Sequence, residues 1–333
     1  MYCPLSCFIV LDMFPVKLPR ITFVLIVALF AGCAQKTPQT TNNSDSRQKA
    51  VPAQEQLTIA ILPTIDCLPL YVASQYGIFD SLGLKIKTVI YESQMDAEQS
   101  VVKGKNIGCA TDIIRTALLQ YQKAPLRYLF SSNREWELIA NKKLRISKIQ
   151  QLNNRLVGIT RLSTIDFLSD YITAQLKNEQ LILRPQINNI DTRLQMLENA
   201  QIDAAFLPLQ RALYARKKGH TLLAIDKSKY DRLAGFAVST KWTASKENQD
   251  KALLLSKGYD IAVEKLKKNA QSVLNEKDLQ RFRLKGYESL LQKPQSFAKA
   301  RVATTAQMKT ALDWLKSKKA ISSAFSSDTL LLK

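Results

Sequence analysis

The sequence predicts an α/β protein whose body folds as two lobes, each a mixed sheet flanked by helices. Three observations carry that expectation. Short runs rich in apolar and β-branched residues alternate with segments of helical period, an order that implies strands crossed over by helices on both sheet faces. The alternation runs once from Leu57 to Ser132 and begins again near Trp136. The stretch from Leu57 to Lys333 also has the length of two ordinary domains.

In the first set, LTIAIL (57–62) reads as a buried strand and PTID as a turn. LPLYVASQYGIF has helical spacing through Leu70, Ala73 and Tyr76, with Gly77 as its stop. The aromatics Tyr71, Tyr76 and Phe79 on that helix read as core. LKIKTVIY (84–91) alternates like a strand, and DAEQSVVKGK is a helix ended by Gly104. IGCAT is a short strand, DIIRTALLQYQ a helix capped by Asp112 or Thr111, and LRYLFSS a strand.

In the second set, WELIA is a strand, ISKIQQL a short helix with Ser147 at its N-cap, and RLVGIT (155–160) a strand. STIDFLSDYITAQL is a helix capped by Ser163, LILRPQINN carries a strand, and DTRLQMLENAQ is a helix capped by Asp191. DAAFLP, then LQRALYARKKG ended by Gly219, then HTLLAI read as strand, helix and strand. LAGFAVST is a strand that returns to the first lobe. The tail from Lys246 to Lys319 is mostly helical, with a break at Pro294. The map is therefore residues 57–135 plus 236–333 as lobe 1 and 136–235 as lobe 2. The chain crosses between them twice, and a cleft lies at the strand ends, where ligands of α/β sheets bind.

The front of the chain is different. Ile21 to Ala31 is an apolar run too short to span a bilayer, preceded by Lys17 and Arg20, and residues 1–32 read as a signal peptide. Met13 would give that peptide normal proportions and is the expected start. Leu29-Phe30-Ala31-Gly32-Cys33 resembles a bacterial lipobox, although Phe30 stands where Leu is usual. The resemblance implies a diacylglycerol on Cys33. Residues 33–56, rich in Gln, Thr, Asn, Ser and Pro, read as a flexible tether.

The formal charge is +20. Much of it lies at helical spacing in KKNAQ, KDLQRFRLK and WLKSKKA, which reads as solvated helix faces, and no nucleic-acid-binding pattern accompanies it. Cys67 and Cys109 could pair if the fold makes them neighbours, but both sit in apolar stretches and read as buried free thiols. No CxxC or metal-ligand cluster appears, so neither metal nor cofactor is expected.

The stretch LTIAILPTIDCLPLYVASQYGIFDSLGLKIKTVIY resembles the opening of ABC-transporter solute-binding proteins of the sulfonate, nitrate, taurine and thiamine-precursor type. Pro69, Leu70, Ala73, Gly77 and Phe79 carry the likeness. VVKGKNIGCATD, ISKIQQLNNRLVGITRLST and LENAQIDAAFLPLQRALYARKKGH resemble later units of the same family, in the expected order over residues 57–240. Two departures bear on the ligand. The loop Leu207–Gln210 lacks an acidic residue beside its proline, and Asn199-Ala200 stands where glycine is usual.

The resemblance implies a two-lobed periplasmic-binding-protein-like type II fold. It implies a monomer that captures a small anionic or heterocyclic solute and hands it to an ABC permease and its ATPase. With lipid on Cys33, the protein would sit on the periplasmic side of a bacterial membrane. Four strand-end loops would line the cleft: Thr64 and Asp66; Thr111 and Asp112; Thr160, Arg161, Ser163 and Thr164; and Gln210. The third opens a helix, where free N–H groups, two hydroxyls and the Arg161 fork suit an anion. Ser163 acting only as a cap is the plain alternative, as is an Asx turn for Asp66 and a cap for Asp112. Glu135 is a weaker candidate, and the direction of Trp136 is open. Catalysis is not expected: the thiamine-pyrimidine enzyme branch depends on histidine and a cysteine-rich motif, whereas this chain has one histidine, His220, and no cysteine cluster. A receptor or scaffold lipoprotein on the same fold is the other alternative.

Overall fold

The computed structural model describes residues 55–176, 181–226, 232–293, 296–326 and 328–332. The leader with Met13, Cys33, the tether up to residue 54 and the break expected at Pro294 lie outside the described residues. The strands are β1 (Leu57–Ile61), β2 (Ile86–Ile90), β3 (Gly108–Asp112), β4 (Leu126–Ser131), β5 (Trp136–Ala140), β6 (Arg155–Gly158), β7 (Ile182–Leu183), β8 (Ala204–Pro208), β9 (Thr221–Leu223) and β10 (Ala234–Ser239). The helices are α1 (Leu68–Gln75), α2 (Ile78–Ser81), α3 (Gln94–Val102), α4 (Ile113–Tyr121), α5 (Thr164–Thr173), α6 (Ile190–Glu198), α7 (Leu209–Lys217), α8 (Lys246–Val273), α9 (Glu276–Arg281) and α10 (Thr305–Ser317). None of the described helices is long and apolar enough to cross a membrane.

The strands form two five-stranded sheets, ordered β2-β1-β3-β10-β4 and β7-β6-β8-β5-β9. In the first, β1 runs parallel to β2 and β3, and β10 inserts antiparallel between β3 and β4. In the second, β5 is antiparallel to β8 and β9 while β6 is parallel to β7 and β8. Both sheets are mixed and flanked by helices, as the fold class expected.

β10 reaches its slot because Gly235 has no side chain. A Cβ there would lie 2.0 Å from the Phe130 carbonyl oxygen and 2.2 Å from the Tyr128 hydroxyl. Beside it, Phe130 and Phe236 stack with centroids 5.7 Å apart. Strands β1, β3 and β10 are apolar and buried along most of their length, and α1 and α8 cover them through Leu70, Val72, Leu255, Tyr259 and Leu266. The second sheet has its own buried clusters, around Leu138, Val157 and Phe206 on one side and Ile139, Leu197 and Leu207 on the other.

Local chemistry explains several departures from the sequence reading. Gly77 takes φ 70° and splits the first predicted helix into α1 and α2, since the left-handed conformation interrupts the ladder. Tyr71 and Phe79 are core, but Tyr76 is 37% exposed and sends its hydroxyl to Asp278 Oδ2 at 2.7 Å. Ser147 is not a cap. Gln151 Oε1 accepts from the backbone N–H groups of both Ser147 and Lys148, making a 3-10 turn at Ile149–Leu152. Asn189, not Asp191, caps α6 by accepting from Thr192 N at 2.9 Å, which leaves Asp191 to pair with Arg211 and Arg283. LILRPQINN contributes only the two residues of β7. Cys67 and Cys109 are free and buried, and burial raises the Cys67 thiol to about 11 and Cys109 well above its ordinary value.

Candidate functional site

The loops predicted to line the cleft do meet, but through a network the sequence did not foretell. After β1, Asp66 sits on a short 3-10 turn and is buried. It accepts from Ser132 Oγ at 2.8 Å and Arg134 Nε at 3.1 Å, and Arg134 Nη2 pairs with its other side at 3.1 Å. Burial by itself would lower the Arg134 guanidinium, but the adjacent Asp66 holds it above its ordinary value. Arg134 Nη1 donates to Gln94 Oε1 at 3.1 Å, and Gln94 Nε2 donates to Asp112 Oδ2 at 2.8 Å. Asp112 ends β3 and caps α4, accepting Arg115 N at 2.8 Å on Oδ1. Its Oδ2 also accepts the backbone N–H of Thr164 at 3.2 Å. One buried chain of polar groups therefore runs from the loop of the first strand to the first turn of α5, which packs on the second sheet. Burial pushes the Asp112 carboxyl above its ordinary value, against the hydrogen bonds that favour its charged form.

The remaining predicted residues divide. Thr111 is fully buried and donates to Glu98 Oε1 at 2.7 Å, and Arg115 closes on Glu98 at 2.7 Å, so Thr111 serves the wall of the site. Thr160 Oγ1 accepts from Arg193 Nη2 at 3.0 Å. Arg193 is buried and bonded otherwise to the carbonyls of Ile187 and Phe206, and burial lowers it to about 9. Ser163 occupies the N-cap position of α5 without capping it: its hydroxyl donates to the Thr160 carbonyl at 2.7 Å. Arg161 is exposed and joins no hydrogen bond or ion pair among the described residues. The start of α5 is occupied by the protein's own carboxylates, with Asp166 Oδ2 taking Leu162 N at 2.8 Å and Asp112 taking Thr164 N. Asp112 thus already takes one of the N–H groups through which the loop of Arg161, Ser163 and Thr164 is expected to hold an anion.

Gln210 Nε2 and Arg211 Nη1 donate to the Pro63 carbonyl at 2.9 and 2.6 Å, tying α7 to the β1 loop. Thr64, Asp66, Arg134, Glu135, Gln210 and Ser296 line a cavity of about 10 Å³, room for a single water. Trp136 is 8% exposed and stands 6.0 Å from the Arg134 guanidinium. The two sheets' layers also touch where Ile190 N meets the Glu92 carbonyl at 3.1 Å and where Trp314 Nε1 meets Asp170 Oδ2 at 2.8 Å. The Thr164 hydroxyl is buried without a hydrogen-bond partner in this arrangement. His220 is buried at the turn into β9, where Lys142 N approaches its Nδ1 at 3.4 Å, and burial followed by Lys142 lowers its pKa. No group of three or more potential metal ligands occurs among the described residues.

Gln94, Arg134 and Arg193 were missed. Gln94 was within reach of the same strand-end argument, since it follows β2. Arg134 lies where the chain crosses between lobes, beside Glu135 and Trp136, and nothing local marks it as the partner of Asp66, 68 residues away.

Comparison with known proteins agrees with the architecture. A family model described as NMT1/THI5 like matches residues 64–269. Among solved structures, similarity extends to the alkanesulfonate-binding protein SsuA from Xanthomonas axonopodis pv. citri bound to MOPS, at 13% identity over 81% of this chain and 96% of that one, with a TM-score of 0.66. A ligand-binding component of an ABC-type import system from Staphylococcus aureus, with zinc bound, is 13% identical over 84% of this chain and 96% of that one, with a TM-score of 0.67. The periplasmic nitrate-binding protein NrtA from Synechocystis PCC 6803 is 10% identical over 82% and 83%, with a TM-score of 0.62. At these identities the likeness shows the fold. A search of curated proteins found no match.

Proposed function

The chain belongs to the NMT1/THI5-like family, and from that membership and the buried network between its sheets we propose that it is the solute-binding lipoprotein of an ABC importer. In this reading residues 57–135 plus 236–333 form one lobe and 136–235 the other. A small solute enters between them, replaces part of the network, and stabilises the closed form that the permease recognises. Cys33 carries the lipid that holds the monomer at the periplasmic side of the membrane. The protein binds and delivers, and performs no reaction.

The observation that carries the reading is the bond from Thr164 N to Asp112 Oδ2, a polar contact between lobes at the strand ends, beside a buried Thr164 hydroxyl with no partner. Thr64, Asp66, Asp112 and Thr164 are the groups proposed to meet the solute. Asp66 is paired with Arg134 and Glu98 with Arg115, which leaves the Asp112 carboxylate, the exposed Arg161 and, behind Thr160, the Arg193 guanidinium. Such a set suits a small anionic or heterocyclic solute.

A thermal-shift screen of the full chain against sulfonates, taurine, nitrate, pyrimidines, riboflavin and amino acids tests this. Binding to the folded form at a hundredfold excess over Kd adds about 2.7 kcal/mol and raises the midpoint. Thr164→Val should weaken the hit by about tenfold, the worth of one hydrogen bond near 1.4 kcal/mol. No shift, together with native mass spectrometry finding no retained solute, would leave the receptor reading instead. For the anchor, Cys33→Ser should move the protein from the membrane fraction to the soluble one.

A further inference from the structure

Strands β1, β2, β3 and β4 all start on one rim of the first sheet, at the end opposite the loops of the proposed cleft. Hydrogen bonds trace that rim from edge to edge. Leu57 N donates to the Lys85 carbonyl at 2.8 Å and Thr58 Oγ1 to the Lys105 carbonyl at 2.8 Å. Ser239 N donates to the Ile107 carbonyl at 2.8 Å and Thr240 N to the Pro125 carbonyl at 3.0 Å. The segments leading into β2, β3 and β4 and the end of β10 therefore lie side by side, with the entry into β1 between them.

Each of those segments presents lysine. Lys85, Lys103, Lys105, Lys123 and Lys241 are exposed and join no ion pair among the described residues. Helix dipoles account for Lys103 and Lys123, which follow the C-terminal ends of α3 and α4, but not for Lys85 or Lys241. Exposed Lys87 and half-buried Arg127 add to the same charge. The acids nearby do not offset it. Glu247 and Asp250 are taken by Lys251 and Lys246 at 2.6 and 3.0 Å, which leaves Glu55, Asp80 and Asp328. Tyr121, 38% exposed at the end of α4, adds an amphipathic ring of the kind that sits at headgroup level.

The chain also enters the folded body here, since Glu55 and Leu57 line one pocket with Lys85, Trp242 and Lys251. Cys33 stands 22 positions before Glu55, a stretch that spans at most about 75 Å. We propose that this rim docks on the anionic phospholipid headgroups of the membrane, an inference that rests on the lipid anchor at Cys33 proposed above. The anchor keeps the rim within reach of the bilayer and the lysines draw it onto the headgroups. The cleft, at the opposite strand ends, then faces away from the membrane.

Vesicle flotation of the full chain carrying Cys33→Ser tests the rim without the lipid. Vesicles of phosphatidylcholine alone are compared with vesicles of equal parts phosphatidylcholine and phosphatidylglycerol. Binding should be at least about tenfold tighter to the anionic vesicles at about 0.05 M salt, and the difference should vanish at about 0.5 M. Changing Lys85, Lys103, Lys105, Lys123 and Lys241 together to Gln should abolish the preference. Changing exposed Lys265, Lys267, Lys268, Lys277 and Lys293 together to Gln, a loss of equal charge elsewhere, should leave binding within about twofold. Equal binding to both vesicles, equal loss from the two sets of changes, or tighter binding to duplex DNA than to anionic vesicles would each overturn the proposal. Retention of the unsubstituted chain, but not of Cys33→Ser, on neutral vesicles at the higher salt reads the lipid alone, so the anchor and the rim fail separately.

Discussion

The N–H of Thr164 donates to Asp112 Oδ2 over 3.2 Å, while Asp112 Oδ1 takes Arg115 N at 2.8 Å. A single carboxylate thus serves the first turns of two helices, α4 on the first sheet and α5 on the second. Asp112→Ala should cost about 1–2 kcal/mol from the lost cap alone. It should also loosen the contact between the two sheets. Urea denaturation reads the first effect and the radius of gyration the second. An Asp112→Ala chain as stable and as small as the parent would show that the carboxylate does neither.

Arg134 and Asp66 form a buried pair, each side chain 2% exposed. Removing one partner strands the other charge, so Arg134→Ala should destabilise by about 3–5 kcal/mol. The double variant Arg134→Met with Asp66→Asn removes both charges and should recover a large part of that loss. Equal instability of the single and double variants in guanidinium titrations would mean that packing, not charge, makes the site sensitive.

Asp170 sets an acid limit. Burial opposes ionisation of its carboxyl, but hydrogen bonds from Lys318 and Trp314 and the nearby Arg184 together hold it below its ordinary 3.8. A depressed carboxylate contributes stability that is complete above the unfolded value, about 3.9, and is lost as pH falls through the folded value. Asp170→Asn should therefore be less stable than the parent at neutral pH and converge with it in acid. Urea midpoints between neutral pH and the acid limit would show it, and parallel curves would exclude Asp170 as a source of the slope.

Gly235 marks the closest backbone approach in the first sheet. A methyl at this position would overlap the Phe130 carbonyl and the Tyr128 hydroxyl, both held in a buried sheet. Gly235→Ala should cost at least about 1–3 kcal/mol, the usual range for overpacking. A thermal midpoint within a degree or two of the parent would contradict the sheet register at β10.

Helix stops and strand alternation were readable because they are local. Gly77, Gly104 and Gly219 adopt positive φ where the periodic segments end, a conformation that glycine reaches without strain. Asp112 as a cap was readable for the same reason. The cap of α6 was not, since Asn189 and Asp191 are equally good on paper and only the position of Arg211 decides which side chain turns outward. The candidate site was legible as a set of loops but not as a network. Gln94, Arg134 and Arg193 carry its charges and hydrogen bonds, and their partners are distant in the chain.

The sequence by itself determined the alternation of strands and helices and the family resemblance, because each rests on neighbours within a few turns or on ordered motifs. Only the tertiary structure decided that Arg134 neutralises Asp66, that Asp112 closes on α5, and that Arg211 is left one donor short. The reason is physical. A buried charge or hydrogen-bonding atom is defined by what faces it, and what faces it here comes from strands brought together by the sheet order, not by the chain.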